Sequence, residues 1–369
     1  MSKICIINGK APRYREAIFK KIDDHFDCDW YFGQAKTDIK YLDLSIFKRV
    51  KSFGYTYFGS SFYWKKNTIS KLFNKEYNTF LVSIESRAIS DYVFLLLKSL
   101  FFPKKRVYAW THGWYGKETK FEAALKKWQF RKLTGIFTYG NYARKLLIQE
   151  GFAPDKVHAI HNSLHYDQQI ELRKSIQPSD VYVSHFSNNN PVIIFIGRLT
   201  KMKQLDMLVY AVADLKAKNE LYNLVFVGDG EERTALETLV TERGVSDQVW
   251  FYGACYDEKQ NAELIYNADV CVAPGNVGLT AMHTMVFGTP VISHNDFKWQ
   301  MPEFEAIHPG ETGDFFERNN QESLNTVISC WLKSKLRCRD DVRKSCFNEI
   351  DELWNPQFQL NVLKEFLEV

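Results

Sequence analysis

Two cations and a glycine loop carry the chemistry this sequence could do. Arg198 and Lys203 follow the apolar run VIIFIG, in the segment GRLTKMKQLD. Two fixed positive charges just past a strand suit a phosphate anion. The loop Gly275, Asn276, Val277, Gly278 lies within DVCVAPGNVGLTAMHTMVFGTPVIS, residues 269–293. One apolar run, Val270 to Ala273, precedes it, and a second, Pro290 to Ile292, closes the stretch. Between them Leu279, Met282, Met285 and Val286 recur at helical spacing. The pattern predicts strand, loop, helix, strand, with Gly288 and Pro290 ending the helix. Two glycines leave N–H groups bare at a helix N-terminus, where the dipole is positive and phosphate is attracted. An ordinary βαβ turn has the same pattern.

Other candidates lie at predicted strand ends. His112 follows the strand RVYAW. Arg13, Tyr14 and Arg15 follow the first strand, KICIIN, in the segment PRYRE. Gly228 and Gly230 follow LVFV, and Glu305 sits in PEFEAIHPGETG. Each has a plainer reading: a structural histidine, a solvated helix start, a tight turn, a solvated carboxylate.

The elements that would position them alternate β and α along the chain, which implies parallel sheets. Strands are expected at Lys3 to Asn8, Asp29 to Phe32, NTFLVSI, RVYAW, GIFTYG and KVHAI. Helices fall between, with Ala17, Ile18 and Ile22 inward in the first and Ser90 or Asp91 capping DYVFLLLKSLFF. An amphipathic helix is expected over Lys117 to Leu133. The alternation restarts at VIIFIGR and continues through LVFVGDG, VWFYGA and residues 269–293. Residues 34–76 break the rhythm. Their interleaved lysines and aromatics suit a membrane interface, a sugar platform, single-stranded nucleic acid or an irregular cover for the sheet. The polar run 171–190 reads as a linker.

With 369 residues and 45% hydrophobic content, the chain is long enough for two domains. Its seven cysteines are scattered without a CxxC pair, so reduced thiols in a cytoplasmic protein are expected, with no disulfide framework and no zinc site. Met1 is followed at once by a strand, so no signal peptide is expected, and no apolar run is long enough to span a bilayer. The net charge of +4 is uneven. Residues 1–170 hold 29 Lys and Arg against 15 Asp and Glu (+14), and the remainder 19 against 29 (−10). The basic half calls for a polyanion: an anionic membrane surface, a phospholipid-linked substrate or nucleic acid. The sequence has no helix-turn-helix, RNP-like strand or zinc spacing, so nucleic acid is not the expected partner.

Residues 269–293 resemble the donor-binding segment of the retaining glycosyltransferases of family 4, which have the GT-B fold. The family pattern is E-G-F-G-L-x-x-L-E-A-M-A-x-G-x-P-V-I. Gly278, Leu279, Met285, Gly288, Pro290, Val291 and Ile292 match it, while Gly275 and His283 replace both glutamates. GRLTKMKQ resembles the family's G-R-x-x-x-x-K-G, with Gln204 in place of the second glycine. The resemblance extends to VGDGEE, to Glu305, to PRYRE, to WTHG, and to the stretch from YGNYARKLL to HNSLH with its His161. It covers most of the second half and only patches of the first.

The resemblance implies two Rossmann-like domains with parallel sheets facing a cleft. The first is expected over 1–170, the donor domain over 191–353, and residues 354–369 cross back onto the first. It implies transfer of a sugar from a nucleoside-diphosphate donor to a glycan or lipid-linked glycan acceptor, with retention of configuration. Arg198 and Lys203 would hold the pyrophosphate, with no metal or other cofactor. Gly9, Gly228, Gly275, Asn276, Val277, Gly278, Leu279, Thr280 and His283 would complete the donor site, His283 taking a ribose hydroxyl. His112 would meet the reacting sugar while a carbonyl holds its other nitrogen. Arg13, Tyr14, Arg15 and Trp114 would face the acceptor. A monomer on the cytoplasmic face of the membrane is expected. A sugar-nucleotide epimerase and a non-catalytic sugar-nucleotide binder are the alternatives.

Overall fold

The computed structural model describes residues 3–34, 41–334 and 338–368. The chain forms two α/β units. The first comprises residues 1–165 and 355–369, and the second comprises Tyr166–Trp354.

Among its described residues the first unit has nine strands: β1 (Lys3–Asn8), β2 (Cys28–Gly33), β3 (Val50–Phe53), β4 (Tyr55–Phe58), β5 (Phe62–Lys65), β6 (Tyr77–Val82), β7 (Arg106–Thr111), β8 (Gly135–Thr138) and β9 (Val157–Ala159). Seven of them make one sheet, in the order β3-β2-β1-β6-β7-β8-β9. Every pairing in it is parallel. Successive residues of a strand point to opposite faces, and both faces are apolar, as a parallel sheet covered on both sides requires. Ile4, Ile6, Trp30, Phe32 and Trp110 point to one core. Cys5, Ile7, Tyr31, Phe80 and Val107 point to the other.

Helix Glu16–His25 covers the first core with Ile18, Phe19 and Ile22, so Phe19 takes the inward place expected of Ala17. The C-terminal helix Pro356–Leu367 packs on the same face through Leu360, Leu363 and Leu367. Its Gln359 donates to the His161 carbonyl (3.0 Å) and accepts from Ser163 (2.6 Å). The last helix thus belongs to the first unit, as expected.

Residues 41–76 give the edge strand β3 and a β4–β5 hairpin, and residues 35–40 lie outside the described residues. Ser90 and Asp91 do not cap the helix Ile89–Phe101, whose N-cap is Ala88. They hold the hairpin instead: Ser90 Oγ accepts from the Lys65 N–H (3.0 Å), and Asp91 takes the buried Lys65 ammonium at 2.9 Å. Helix Lys120–Arg131 starts at a capping box between Thr119 and Glu122.

The second unit has six strands: β10 (Val192–Ile196), β11 (Asn223–Val227), β12 (Val249–Gly253), β13 (Val270–Ala273), β14 (Val291–His294) and β15 (Gly313–Phe316). They form one parallel sheet in the order β12-β11-β10-β13-β14-β15. The chain reverses its direction of travel across this sheet between β10 and β13. In open α/β sheets such a switch point is where ligands bind, at the carboxyl ends of the strands.

Residues 171–190 are not an extended linker. They contain the second half of helix Tyr166–Ser175 and all of helix Val181–Phe186, both within the second unit. Few apolar groups suffice to dock them: Tyr182 is buried and donates to the Leu264 carbonyl at 2.6 Å, and His185 stacks on Trp250 at 3.8 Å. Among the described residues no helix is long and apolar enough to cross a membrane.

Candidate functional site

In the second unit, the turns that follow β10 and β11 are locked together by glycine. Gly197 has φ 147° and Gly228 φ 151°. A Cβ on Gly228 would lie 1.8 Å from the Gly197 carbonyl oxygen, and one on Gly230 would lie 2.3 Å from that of Leu199. Leu199 N–H donates to Asp229 O (3.0 Å), and Glu232 N–H donates to Leu199 O (3.1 Å). The glycines of VGDGEE therefore bring this loop against the Arg198 turn. Arg198 stands exposed between Gly197 and buried Leu199, and its guanidinium has no hydrogen-bond partner among the described residues.

Lys203 ends the short turn Lys201–Lys203, and Gln204 follows at φ 50°, a left-handed conformation in which glycine costs least. The Lys203 ammonium donates to the carbonyl oxygen of Asn276 (2.6 Å) and to its Oδ1 (2.8 Å). Burial pulls the ammonium down to about 8, with buried Glu303 opposing that shift and Arg198 adding to it. Lys203 is therefore a cation near neutral pH, held within the field of one acid and one base.

The 275–278 loop is partly spent on its own architecture. Gly275 N–H donates to Lys203 O (2.9 Å), and Val277 N–H donates to Gln300 Oε1 (2.9 Å). Gln300 in turn donates to Ser293 Oγ (2.8 Å) and His294 O (3.0 Å). The loop N–H groups expected to be bare are thus reduced. Those of Gly278 and Leu279 have no partner among the described residues. Gly278, at φ 53°, lies beside the ammonium: a Cβ there would be 3.9 Å from Lys203 Nζ.

The helix that follows the loop is short, Thr280–Met285. The Thr280 hydroxyl donates to the Ile196 carbonyl (2.9 Å), so it ties the helix to β10 and has only acceptor capacity left for a ligand. His283 does not stand free either. Its Nε2 pairs with Glu258 Oε1 at 3.0 Å, and that oxygen also accepts from Gln169 (2.8 Å). Burial would raise the Glu258 carboxyl, but its hydrogen bonds, that of His283 first, hold it below its usual range. A ribose hydroxyl could reach only the other imidazole nitrogen.

A side chain at Gly275 has no room. A Cβ on Gly275 would lie 2.1 Å from the Met202 carbonyl oxygen and 2.7 Å from Lys203 Cα. The Lys201–Lys203 turn occupies the space that a side chain at 275 would need.

In the first unit, Gly9 follows β1. Its N–H donates to Ser83 Oγ (2.8 Å), and its carbonyl accepts from Tyr55 (2.7 Å). Arg15 is not a solvated helix residue. Its guanidinium lies 5.0 Å from the Trp110 ring centre and 4.9 Å from that of Tyr139. Arg13 is exposed and Tyr14 half-buried. His112 packs 4.7 Å from the Tyr139 ring. Burial lowers its pKa to about 4, with Arg15 and Lys126 adding to that, so it is neutral at pH 7. Its Nδ1 is buried without a hydrogen-bond partner among the described residues, so there no carbonyl fixes the ring as expected.

Trp114 is misplaced as an acceptor platform. It lies in the second core of this unit at 4% exposure, with Lys126 above it bonded to Gly113 O (3.0 Å) and Glu118 (2.8 Å). Sequence reasoning missed Tyr139, Gln300, Glu303 and Glu258. Tyr139 follows directly on β8 and could have been taken as a strand-end residue. The others come from loop or helix positions with no local signal.

Two parallel Rossmann-like units are the GT-B class of fold. The chain resembles the solved lipopolysaccharide outer core galactosyltransferase WaaB in its apo form, with TM-score 0.74 and 14% identity over 99% of both chains. It also resembles Anabaena HepE in complex with UDP and glucose, with TM-score 0.69 and 16% identity over 100% of both. At these identities the likeness shows the fold. Residues 178–346, within the second unit, match the family described as Glycosyl transferases group 1. Relatives of the chain include the 2-deoxystreptamine glucosyltransferase of Streptomyces kanamyceticus, 26% identical over 46% of this chain and 45% of its own length. Another is an uncharacterized protein of the cps region of Klebsiella pneumoniae, 26% identical over 56% of this chain and 55% of its own. The matches thus span about half the length of these curated relatives.

Proposed function

We propose that the protein is a glycosyltransferase that moves a sugar from a nucleoside-diphosphate donor to a glycan or lipid-linked glycan acceptor. Retention of configuration and a role in surface polysaccharide or glycoconjugate synthesis belong to the same reading. The observation that carries it is the Lys203 ammonium, held beside Asn276 and Gly278 at the switch point of the second sheet and within the field of Arg198. Such cations neutralise the charge that grows on a departing diphosphate, and their preorganisation spares reorganisation at the moment of reaction. In this role they do the work of a divalent ion. His112, neutral at pH 7, can exchange a single hydrogen bond with a sugar hydroxyl. A monomeric, peripheral position on the cytoplasmic membrane face accords with the basic first half and with a lipid-linked acceptor.

A second reading, a non-catalytic sugar-nucleotide binder, is favoured by one observation: backbone fills the space at Gly275 where the family's carboxylate would stand. The two are separated by incubating the protein with UDP-, GDP- and dTDP-sugars and measuring nucleoside diphosphate release with and without membrane glycolipid. Acceptor-dependent release supports the transferase. Binding of a donor without release supports the binder.

A further inference from the structure

Helix Ile89–Phe101 is apolar on two sides. Ser90, Asp91, Phe94 and Leu95 turn inward. Ile89, Val93, Leu96 and Leu100 recur at i, i+4, i+7 and i+11 on the other side, where a second stripe forms. Leu96 is 43% exposed, Leu100 64% and the terminal Phe101 66%. The described residues leave them exposed, although the apolar sequence here reads as a helix buried against the sheet, with a membrane-dipping helix as the alternative. Trp128, from helix Lys120–Arg131, joins the stripe's margin, 5.6 Å from the Tyr92 ring.

The margin is basic. Lys132 lies 4.7 Å from the Trp128 ring centre. Lys98 is pulled below its ordinary range by burial and by Lys132, and Lys156 by burial and by Lys98, so the three share one neighbourhood. Lys156 donates only to the Arg131 carbonyl (3.2 Å), and none of the three has a carboxylate partner among the described residues. Leucine and tryptophan beside unpaired lysines suit a surface whose interior is apolar and whose headgroups are anionic. A second copy related by a two-fold axis would set these lysines against themselves.

We propose that this face seats the protein on an anionic lipid bilayer. Leu96, Leu100 and Phe101 enter the interface, and Lys98, Lys132 and Lys156 meet lipid phosphates. This rests on the peripheral membrane reading above and gives it a location, on the helix face rather than in the lysine- and aromatic-rich segment 34–76.

The test is co-sedimentation of the full chain with phosphatidylcholine vesicles, with and without phosphatidylglycerol, across a salt series. The wild type should pellet only with the anionic vesicles, less as salt rises. Leu100→Ser/Phe101→Ser should weaken this about tenfold or more with an unchanged melting midpoint, because both side chains are exposed. Lys98→Gln/Lys132→Gln should weaken it by about tenfold or more, at roughly 1 kcal/mol per lysine. The hairpin variant Tyr57→Ser/Phe58→Ser should bind as the wild type does. If the hairpin variant loses binding and the helix variant keeps it, the face is wrong and the peripheral reading stands. If the wild type pellets with neither vesicle, both fall. If it self-associates through Leu100 and Phe101 without binding vesicles, the face is an interface between copies and the proposal is overturned.

Discussion

The ammonium of Lys203 is bonded twice to Asn276, at 2.6 Å through the carbonyl and 2.8 Å through the side chain. The turn after β10 is thereby fastened to the loop after β13, two strands that are neighbours in the sheet. One residue of the loop thus fixes the direction of the cation before any ligand arrives, which is the preorganisation that anion stabilisation needs.

Burial of that cation predicts a pH profile. The folded protein releases the Lys203 proton near pH 8, against an ordinary value of 10.5. The unfolded chain holds the proton to the higher value, so this residue makes stability rise with pH between the two. Binding of a nucleoside diphosphate should run the other way: level below about pH 8, then falling towards tenfold per pH unit as the charge is lost. Lys203→Arg should flatten the curve, since guanidinium keeps its charge. Calorimetric titrations across pH check this, and an affinity that stays level to pH 10 contradicts it.

Placing a glutamate at Gly275 should harm this protein. Gly275→Ala places a methyl group 2.1 Å from the Met202 carbonyl and should destabilise by roughly 1–3 kcal/mol, and Gly275→Glu should cost at least as much. Denaturant unfolding measures it. A stable Gly275→Glu variant with raised turnover would show that the turn at 201–203 yields readily and that the site had merely lost its acid.

His283 and Glu258 should behave as one unit. Their side chains are 19% and 23% exposed, so solvent screens the pair only in part. His283→Ala should cost about 1–2 kcal/mol, and the double variant with Glu258→Gln should cost less than the sum of the singles. Additive effects would mean that the pair is not held in solution.

Most of the strands were legible as apolar runs, because a sheet buried on both faces leaves little freedom in residue type. β15 escaped because GDFF is half-buried and opens on glycine. β3 escaped because only Phe53 of VKSF is buried, and the hairpin because its aromatics are exposed or half-buried, so burial left no periodic signature. In the site, Arg198 and Lys203 were legible because they follow a strand within a patterned motif. The partners that define them were not. Gln300 caps Val277, Glu258 claims His283 and Glu303 faces Lys203 only after distant segments are brought together. Trp114 went astray because an aromatic after a strand can turn inward as well as outward, and the sequence does not say which.

The central claim is that Arg198 and Lys203 hold the diphosphate of a sugar nucleotide. Its most direct test is isothermal titration of the nucleoside diphosphate whose sugar the protein turns over, in the presence of a chelator, into the wild type and into Arg198→Ala and Lys203→Ala. Each variant should bind at least about tenfold more weakly, the loss of one charge-assisted hydrogen bond at roughly 1.5–3 kcal/mol, with melting midpoints little changed for exposed Arg198. Turnover should fall about 100-fold or more in each. Wild-type affinity in both variants, or wild-type binding that vanishes with the chelator, would contradict the assignment.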